Sequence, residues 1–238
     1  MKPRDALCTS SIIPHLIMNN IQPVPWDSAV FGMDCFDIIN PDMASLSHAA
    51  HTTGHYTVKV DPLADKQPLH KLGFYYTDTL IRPICTQDQW NPAADPLASV
   101  DSDIELDELI PMCEHSFLHG RFHRDFNLPS EQADTRYKQW LTQLHQAGHV
   151  LGLRHAGQLA GFIASHQGDL LLHTIAPPYR GRGLARGLWT EAISTIFTAG
   201  NTIVRSSISA GNMPALNLYT SLGFSFEQPV DIYHRLTR

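Results

Sequence analysis

The stretch that decides the fold is IAPPYRGRGLAR, residues 175–186. Two prolines stop a strand-like apolar run at Ile175, and two glycines then precede a helix-like pattern. Glycines allow a turn that leaves consecutive backbone N–H groups available, and a helix N-terminus carries partial positive charge. Three arginines add full charges: Arg180, Arg182 and Arg186. The segment predicts a site for a pyrophosphate, the alternative being an ordinary strand-to-helix turn.

Strand and helix patterns alternate on both sides of this turn. Apolar periodicity predicts helices over 104–118, 130–147, 183–199 and 213–222. Alternating runs predict strands over 150–154, 159–165, 169–176, 202–209 and 230–236, the first two forming a hairpin. Helices that follow strands in this way predict a layered α/β (α+β) domain.

A change of composition predicts two domains. Residues 86–100, TQDQWNPAADPLASV, contain two prolines and little periodicity, which is typical of a linker. The expected division is an N-terminal accessory domain, 1–100, and a second domain, 101–238. The triplet Leu-Gly-Phe occurs at 72–74 and again at 222–224, each time after a helix-like stretch. This repeat is either a coincidence or the remnant of a duplication.

Composition excludes several functional classes. With 43% hydrophobic and 17% charged residues the chain can form a packed core, and a net charge of −6 argues against nucleic-acid binding. No apolar run reaches the roughly 18–20 residues that cross a bilayer. Four scattered cysteines predict neither disulfides nor a zinc site and favour a cytoplasmic location. Histidines recur every four residues from 115 to 123, but Gly120 argues against a continuous metal-binding helix, so no metal is expected.

Two sequence motifs occur in order in the second half of the chain. The pattern Q/R-x-x-G-x-G/A is matched by Arg180, Gly183 and Ala185. A second pattern follows about thirty residues later and is matched by Asn212, Ala215, Tyr219, Gly223 and Phe224. Together the two motifs resemble those of the GCN5-related N-acetyltransferase (GNAT) superfamily. The resemblance covers roughly residues 101–238. It implies a mixed, mostly antiparallel sheet flanked by helices, with an N-terminal half that is itself a degenerate GNAT-like unit or an unrelated accessory.

The resemblance implies acetyl-CoA as co-substrate and assigns residues to it. The CoA pyrophosphate would be held by the backbone amides of Gly181, Arg182, Gly183, Leu184 and Ala185. The pantetheine arm would pair with the strand backbone of Thr174, Ile175 and Ala176. Asn212 would hydrogen-bond the same arm, and Tyr219 would donate a proton to the departing thiolate. The alternative for Tyr219 is a half-buried ring that only packs.

A general base is expected on the strand before the turn, as in other superfamily members. Side-chain alternation places Asp169 and His173 on one face of this strand. An unperturbed histidine has a pKa near 6.5, which suits proton transfer at neutral pH. The alternative is that His173 packs and Asp169 caps a turn.

The acceptor is predicted from a finer resemblance. PWDSAVFG, residues 25–32, is similar to the opening of the dTDP-fucosamine N-acetyltransferase group, and so is SFLHGRFHRD, residues 116–125. The loop over 119–129 would then bind the acceptor. Arg121 and Arg124 would contact a diphosphate, with Phe122 or Phe126 stacking on a base or sugar. The alternative is a surface loop with solvated arginines.

Together these observations predict an acetyl-CoA-dependent N-acetyltransferase whose amine substrate attacks the thioester directly. The expected partner is a small-molecule amine, namely an amino sugar on a nucleotide carrier. Two alternatives stay open: acetylation of protein N-termini or small amines, and a non-catalytic acyl-CoA-binding regulator. The sequence leaves the oligomeric state open, a homodimer included.

Overall fold

The computed structural model describes residues 20–238, so residues 1–19 of the predicted N-terminal domain lie outside the described part. The strands are β1 (Ile21–Pro23), β2 (Cys35–Ile38), β3 (Gly54–Val60), β4 (Tyr75–Thr86), β5 (Ala98–Asp101), β6 (Val150–His155), β7 (Gln158–His166), β8 (Asp169–Ile175), β9 (Ile203–Ser206), β10 (Ile208–Ser209) and β11 (Ser225–Thr237). The helices are α1 (Pro25–Phe31), α2 (Met43–His51), α3 (Gln67–Lys71), α4 (Leu106–Leu109), α5 (Ser130–Gln146), α6 (Ala185–Thr198) and α7 (Met213–Ser221).

The chain forms two compact units. The first contains the described residues up to Thr77 together with Asp231–Arg238, and the second contains Asp78–Val230. This division differs from the predicted boundary near residue 100. Residues 78–100 belong to the second unit because β4 pairs with β9 and β5 pairs with β6. The expected linker also packs there, and Asn91 N donates to Leu222 O at 3.1 Å.

The first unit is a small sheet covered by short helices. Strand β2 pairs antiparallel with β1 and parallel with β3, and β3 pairs antiparallel with residues 231–237 of β11. Buried apolar side chains from these strands and helices form its core: Ile38, Leu46, Ala49, Tyr56, Val58, Leu69, Phe74 and Tyr233. Helix α2 begins with a capping box, in which Asp42 Oδ1 accepts from Ser45 N at 2.7 Å.

The second unit is a mixed, mostly antiparallel sheet with helices on both faces. Strands β5, β6, β7 and β8 pair antiparallel in order, and β8 then pairs parallel with β9. Phe162 on β7 packs with α5, whereas its neighbour Ile163 packs with α6. Side chains alternate across a strand, so the two helices cover opposite faces. The predicted α/β (α+β) fold class is confirmed.

The helix predicted over 104–118 is much shorter than expected. Helix α4 ends at Leu109, and a single 3₁₀ turn, Ile110–Cys113, follows it. Pro111 lies in this turn, and a proline removes a backbone donor and its ring clashes with the preceding helical turn. The remaining residues up to the start of α5 at Ser130 form turns without a regular element.

The repeated Leu-Gly-Phe triplets adopt the same local structure. Gly73 and Gly223 follow α3 and α7 and have φ of +73° and +89°, in the left-handed region that favours glycine. Phe74 and Phe224 are both buried, and their N–H groups donate back into the preceding helix at 2.9 and 3.1 Å. In both units this turn ends a helix and begins a long strand, which favours the interpretation of a duplication.

Candidate active site

The glycine turn, residues 177–185, separates β8 from α6. Gly181 and Gly183 have φ of +69° and +77°, and a Cβ at either position would meet no atom within 4 Å. Helix α6 begins with Leu188 N donating to Leu184 O at 3.1 Å. Within residues 20–238, the five N–H groups of 181–185 donate to no protein acceptor. Consecutive unpaired donors at a helix N-terminus form an anion-binding site.

Two arginines of this turn donate hydrogen bonds to protein acceptors that the sequence did not predict. Arg180 turns back to β8, where its Nε donates to Ile175 O at 2.7 Å, and its Nη2 donates to Ser116 Oγ at 2.6 Å. Burial lowers the pKa of this guanidinium. Arg186 donates to Ser221 O at 3.1 Å. Two of the three predicted arginines thus bond to the protein, whereas Arg182 is exposed, with its guanidinium carbon 5.8 Å from the Tyr179 ring centroid.

Strand β8 loses one of its two neighbours halfway along. It pairs with β7 along its whole length, but with β9 only at Asp169 and Leu170. Within the described part of the chain, residues 171–175 therefore have no strand partner on the β9 side, and we call this stretch the open edge of β8. An extended ligand with amide groups can pair with such an edge.

A tyrosine–histidine pair lies beside the open edge. The Tyr219 hydroxyl and His173 Nε2 are 2.9 Å apart, Tyr219 is fully buried, and His173 is partly exposed. Burial raises the pKa of Tyr219 to about 12 and lowers the pKa of His173 to about 4. At neutral pH the tyrosine is therefore protonated and the imidazole is neutral. The pair shares a hydrogen bond between two uncharged groups, one from α7 and one from β8.

The lowered pKa of His173 predicts a loss of stability in acid. Below pH 6.5 the unfolded chain gains a proton at this histidine, whereas the folded protein does not until about pH 4. The difference corresponds to at most about 3 kcal/mol of unfolding free energy, lost as pH falls from 6.5 to 4. Urea unfolding at pH 7 and pH 4.5 measures it. We expect the unfolding free energy to change less between these two pH values in His173→Asn than in the wild type. In His119→Asn, a control at an exposed position, the change should equal that of the wild type. An equal change in all three proteins would contradict the prediction.

The remaining residues predicted for the cofactor and the base occupy separate places. Asn212 caps α7, where its Oδ1 accepts from Ala215 N at 3.2 Å. Asp169 is exposed at the first position of β8, four residues or about 13 Å of strand from His173. The structure therefore brings His173 and Tyr219 together but does not bring Asp169 to them.

The loop over 119–129 presents its predicted residues unequally. Phe122 is only 2% exposed, and the guanidinium carbons of Arg121 and Arg136 lie 4.6 and 4.2 Å from its ring centroid. Of the two rings predicted to stack on an acceptor, Phe126 is the accessible one, at 79% exposed. Arg124 Nη1 donates to Asp78 Oδ1 at 2.8 Å. Sequence reasoning missed Asp78 and Ser116, because their partners lie 46 and 64 residues away.

The sequence of this chain is similar to a family model and to two curated proteins. The family model described as "Acetyltransferase (GNAT) family" matches residues 116–224. The Bacillus subtilis spore coat polysaccharide biosynthesis protein SpsD is 22% identical over 136 residues, which are 55% of this chain and 47% of that protein. The N-alpha-acetyltransferase MAK3 of Arabidopsis thaliana is 35% identical over 78 residues, 29% of this chain and 41% of that protein. The chain thus spans less than half the length of these relatives.

Solved structures share the fold at low identity. A GCN5-related N-acetyltransferase from Sphaerobacter thermophilus superposes with a TM-score of 0.57 at 15% identity, covering 79% of this chain and 61% of that one. A tandem GNAT protein from the clavulanic acid biosynthesis pathway gives 0.53 at 14% identity, covering 85% and 75%. Among residues 20–238, no helix combines the length and apolar character that crossing a membrane requires. Residues 116–224 match the acetyltransferase (GNAT) family model, and the mixed sheet and the glycine turn agree with that match.

Proposed function

We propose that this protein is an acetyl-CoA-dependent N-acetyltransferase that acts on a primary amine. The observation that carries the proposal is the run of unpaired N–H groups at 181–185, next to the open edge of β8 and the pair formed by Tyr219 and His173. These three features lie in the family-matched segment, residues 116–224. They supply an anion site, an edge for an amide-containing arm, and a proton donor.

The residues present fit acetyl-CoA. A pyrophosphate needs several donors that lack protein partners, and the glycine turn supplies them without side chains in the way. The pantetheine amides need unpaired strand backbone, which 171–175 supplies. One contact must change, because Arg180 Nε already donates a hydrogen bond to the Ile175 carbonyl. Rotation of this arginine side chain would free that carbonyl for the substrate.

We assign the proton donor to Tyr219. The amine attacks the thioester carbonyl, the new C–N bond forms, the C–S bond breaks, and the sulfur takes up negative charge. A phenol with a pKa of about 12 does not readily give its proton entirely to a thiolate with a pKa near 8.5. Hydrogen bonding to the developing sulfur charge, with proton transfer late, is therefore the role that the geometry supports.

The same arithmetic changes the role proposed for His173. An imidazole with a pKa of about 4 is a poor base for an alkylammonium with a pKa near 10.4, because the transfer is uphill by roughly 9 kcal/mol. We therefore propose that His173 holds the Tyr219 hydroxyl in place. Asp169 remains a second candidate base, although its exposed position favours solvent as the acceptor of the amine proton.

We propose an amino sugar on a nucleotide carrier as the acceptor. Arg121 and Arg124 in the 119–129 loop suit a diphosphate, and Phe126 offers an exposed ring. The similarity to a spore coat polysaccharide biosynthesis protein agrees with a sugar substrate. The similarity to an N-alpha-acetyltransferase favours a second candidate, a protein N-terminus. We propose a cytoplasmic location, which the scattered cysteines favour, and leave the formation of a homodimer to be measured.

Thiol release from acetyl-CoA tests the proposal. Purified protein is incubated with acetyl-CoA and a panel of amines: nucleotide-linked amino sugars, free amino sugars, peptides with free N-termini and polyamines. We expect turnover with at least one amine, and most with a nucleotide-linked amino sugar. Calorimetric binding of acetyl-CoA without turnover on any amine would support the regulator instead, and absence of binding would overturn both.

The first unit should bind no second acetyl-CoA. At the same offset of 150 residues, Leu69 stands where the second unit has Tyr219. The Asp42 carboxylate occupies the N-terminus of α2, where the Ser45 amide holds its pKa below the usual range, and this negative charge repels a phosphate. We expect a single molecule of acetyl-CoA per chain in titration calorimetry. A stoichiometry of two would show that the first unit is a working copy.

A further inference from the structure

Asp78 is a buried carboxylate with two close partners. It lies on β4, has no exposed surface, and its Oδ1 accepts from Arg124 Nη1 at 2.8 Å and from Ser209 Oγ at 2.7 Å. Burial raises the pKa of this carboxyl, whereas the bonds from Ser209 and Arg124 oppose the rise. Desolvation of a carboxylate is costly unless a partner compensates it, and Arg124 and Ser209 are the partners of Asp78.

The partners of Asp78 connect two parts of the candidate site. Ser209 Oγ accepts from Gly211 N at 3.2 Å, and Ser209 O accepts from Asn212 N at 3.0 Å. Asn212 is the cap of α7, the helix that carries Tyr219. Arg124 belongs to the 119–129 loop. One carboxylate therefore joins the predicted acceptor loop to the turn that begins the helix of the proposed proton donor.

Arg124 extends along this turn toward solvent. A Cβ on Gly211 would lie 3.8 Å from Arg124 Nη1, so the guanidinium runs beside the backbone that precedes α7. The arginine side chain is 37% exposed, whereas its carboxylate partner is completely buried. The buried end of the ion pair is thus fixed by protein, and the exposed end is accessible to a ligand.

We infer that Asp78 is a positioning residue that orients Arg124 to bind an anionic group, a phosphate of the acceptor. The inference rests on the proposed acceptor class. A free arginine has many rotamers, and a ligand that must order it loses affinity. An arginine already fixed by a buried carboxylate loses less conformational entropy when it binds phosphate. Asp78 touches no substrate itself and acts only through Arg124.

A double-mutant cycle on nucleotide binding tests the inference. The probe is a nucleoside diphosphate alone, titrated by calorimetry into the full chain, so that no turnover is required. We expect Arg124→Ala to weaken its binding about 10-fold, since a bond to a charged group is lost. Asp78→Asn should weaken binding about 5-fold, and the double variant should bind no more weakly than Arg124→Ala. Additive effects, or an unchanged Kd in Asp78→Asn, would overturn the inference.

Two further variants separate positioning from folding. Asp101→Asn removes the partner of Arg154, whose Nε donates to Asp101 Oδ2 at 2.7 Å, and Asp101 lies on β5 of the same unit. It should leave nucleotide binding unchanged. Ser209→Ala removes the second bond to Asp78 Oδ1 and should weaken binding about 2-fold in the wild-type background but not in Arg124→Ala. A melting curve shows whether Asp78→Asn folds. If it does not, Ser209→Ala tests the positioning role instead.

Kinetics distinguish this inference from the proposed activity. With a nucleotide-linked amino sugar, Asp78→Asn should raise the acceptor KM and leave kcat and the acetyl-CoA KM within about 2-fold. With the same amino sugar lacking the nucleotide, the variant should match the wild type. If the wild type acetylates neutral amines but binds no nucleoside diphosphate, the role of Asp78 is refuted and the transferase stands. Non-additive nucleotide binding without any turnover would leave the role of Asp78 intact and refute the transferase.

Discussion

Tyr219→Phe should lower kcat for acetyl transfer about 100-fold, with the Kd of acetyl-CoA changed by less than about 2-fold. The substitution removes the only polar atom that the Tyr219 side chain offers and keeps the buried ring that packs against Phe224. Positioned proton donors typically contribute about 100-fold or more, and this contribution is made when charge develops on sulfur. Steady-state kinetics with a saturating amine measure kcat, and calorimetry measures the Kd.

Tyr56→Phe is the matched control for this prediction. Tyr56 is also almost fully buried, at 1% exposed, but it lies in the first unit, and its hydroxyl has no hydrogen-bond partner among residues 20–238. Both variants delete one buried hydroxyl from a tyrosine. We expect kcat to fall only in Tyr219→Phe. Full kcat in that variant would remove Tyr219 from the mechanism, and an equal fall in both variants would point to a general loss of structure.

The pair of Tyr219 and His173 shows how far local patterns reach. Side-chain alternation along a strand predicts His173, and a motif on a helix 46 residues later predicts Tyr219. The structure places them 2.9 Å apart. Neither pattern contains information about burial, and burial is what lowers the pKa of the imidazole to about 4. The sequence therefore predicts the residues but assigns His173 the basicity of an exposed histidine.

Arginine contacts show where sequence reasoning fails. Three arginines around two glycines predict a cluster directed at phosphate, yet Arg180 binds the Ile175 carbonyl and Ser116. A long side chain donates to an acceptor that the tertiary structure brings near it. In this case the acceptor, Ser116, is 64 residues away in sequence. The backbone prediction for the same turn depends on φ preferences within a few residues. For that reason the glycine geometry was predictable and the arginine partners were not.

The predicted boundary near residue 100 differs from the division after Thr77 for a related physical reason. Prolines and low periodicity over 86–100 correctly indicate irregular backbone, but irregular backbone can still pack. A Cβ on Gly187 would lie 2.5 Å from the Cβ of Asp95, so this segment runs in close contact with α6. Trp90 packs against Phe197 and Phe224. Composition predicts the local backbone conformation of a segment but does not predict which surface the segment packs against.

Gly183→Asp should weaken acetyl-CoA binding about 100-fold, the largest effect that we expect from a single change in the glycine turn. Two unfavourable effects add. An L-residue at φ +77° needs about 1–2 kcal/mol to keep this conformation, and relaxation of the turn would redirect the N–H groups around it. A carboxylate at a helix N-terminus also repels the phosphates that this site would hold. Calorimetry with acetyl-CoA measures the change.

Gly157→Asp separates a loss of stability from a loss of acetyl-CoA affinity. Gly157 lies in the turn between β6 and β7, has the same φ of +77°, and likewise has no atom within 4 Å of an added Cβ. The control therefore carries the same backbone strain and the same new charge at an exposed turn outside the glycine turn. Both variants should lose similar unfolding free energy, whereas only Gly183→Asp should lose affinity. Equal affinities in the two variants would mean that acetyl-CoA does not bind at residues 181–185.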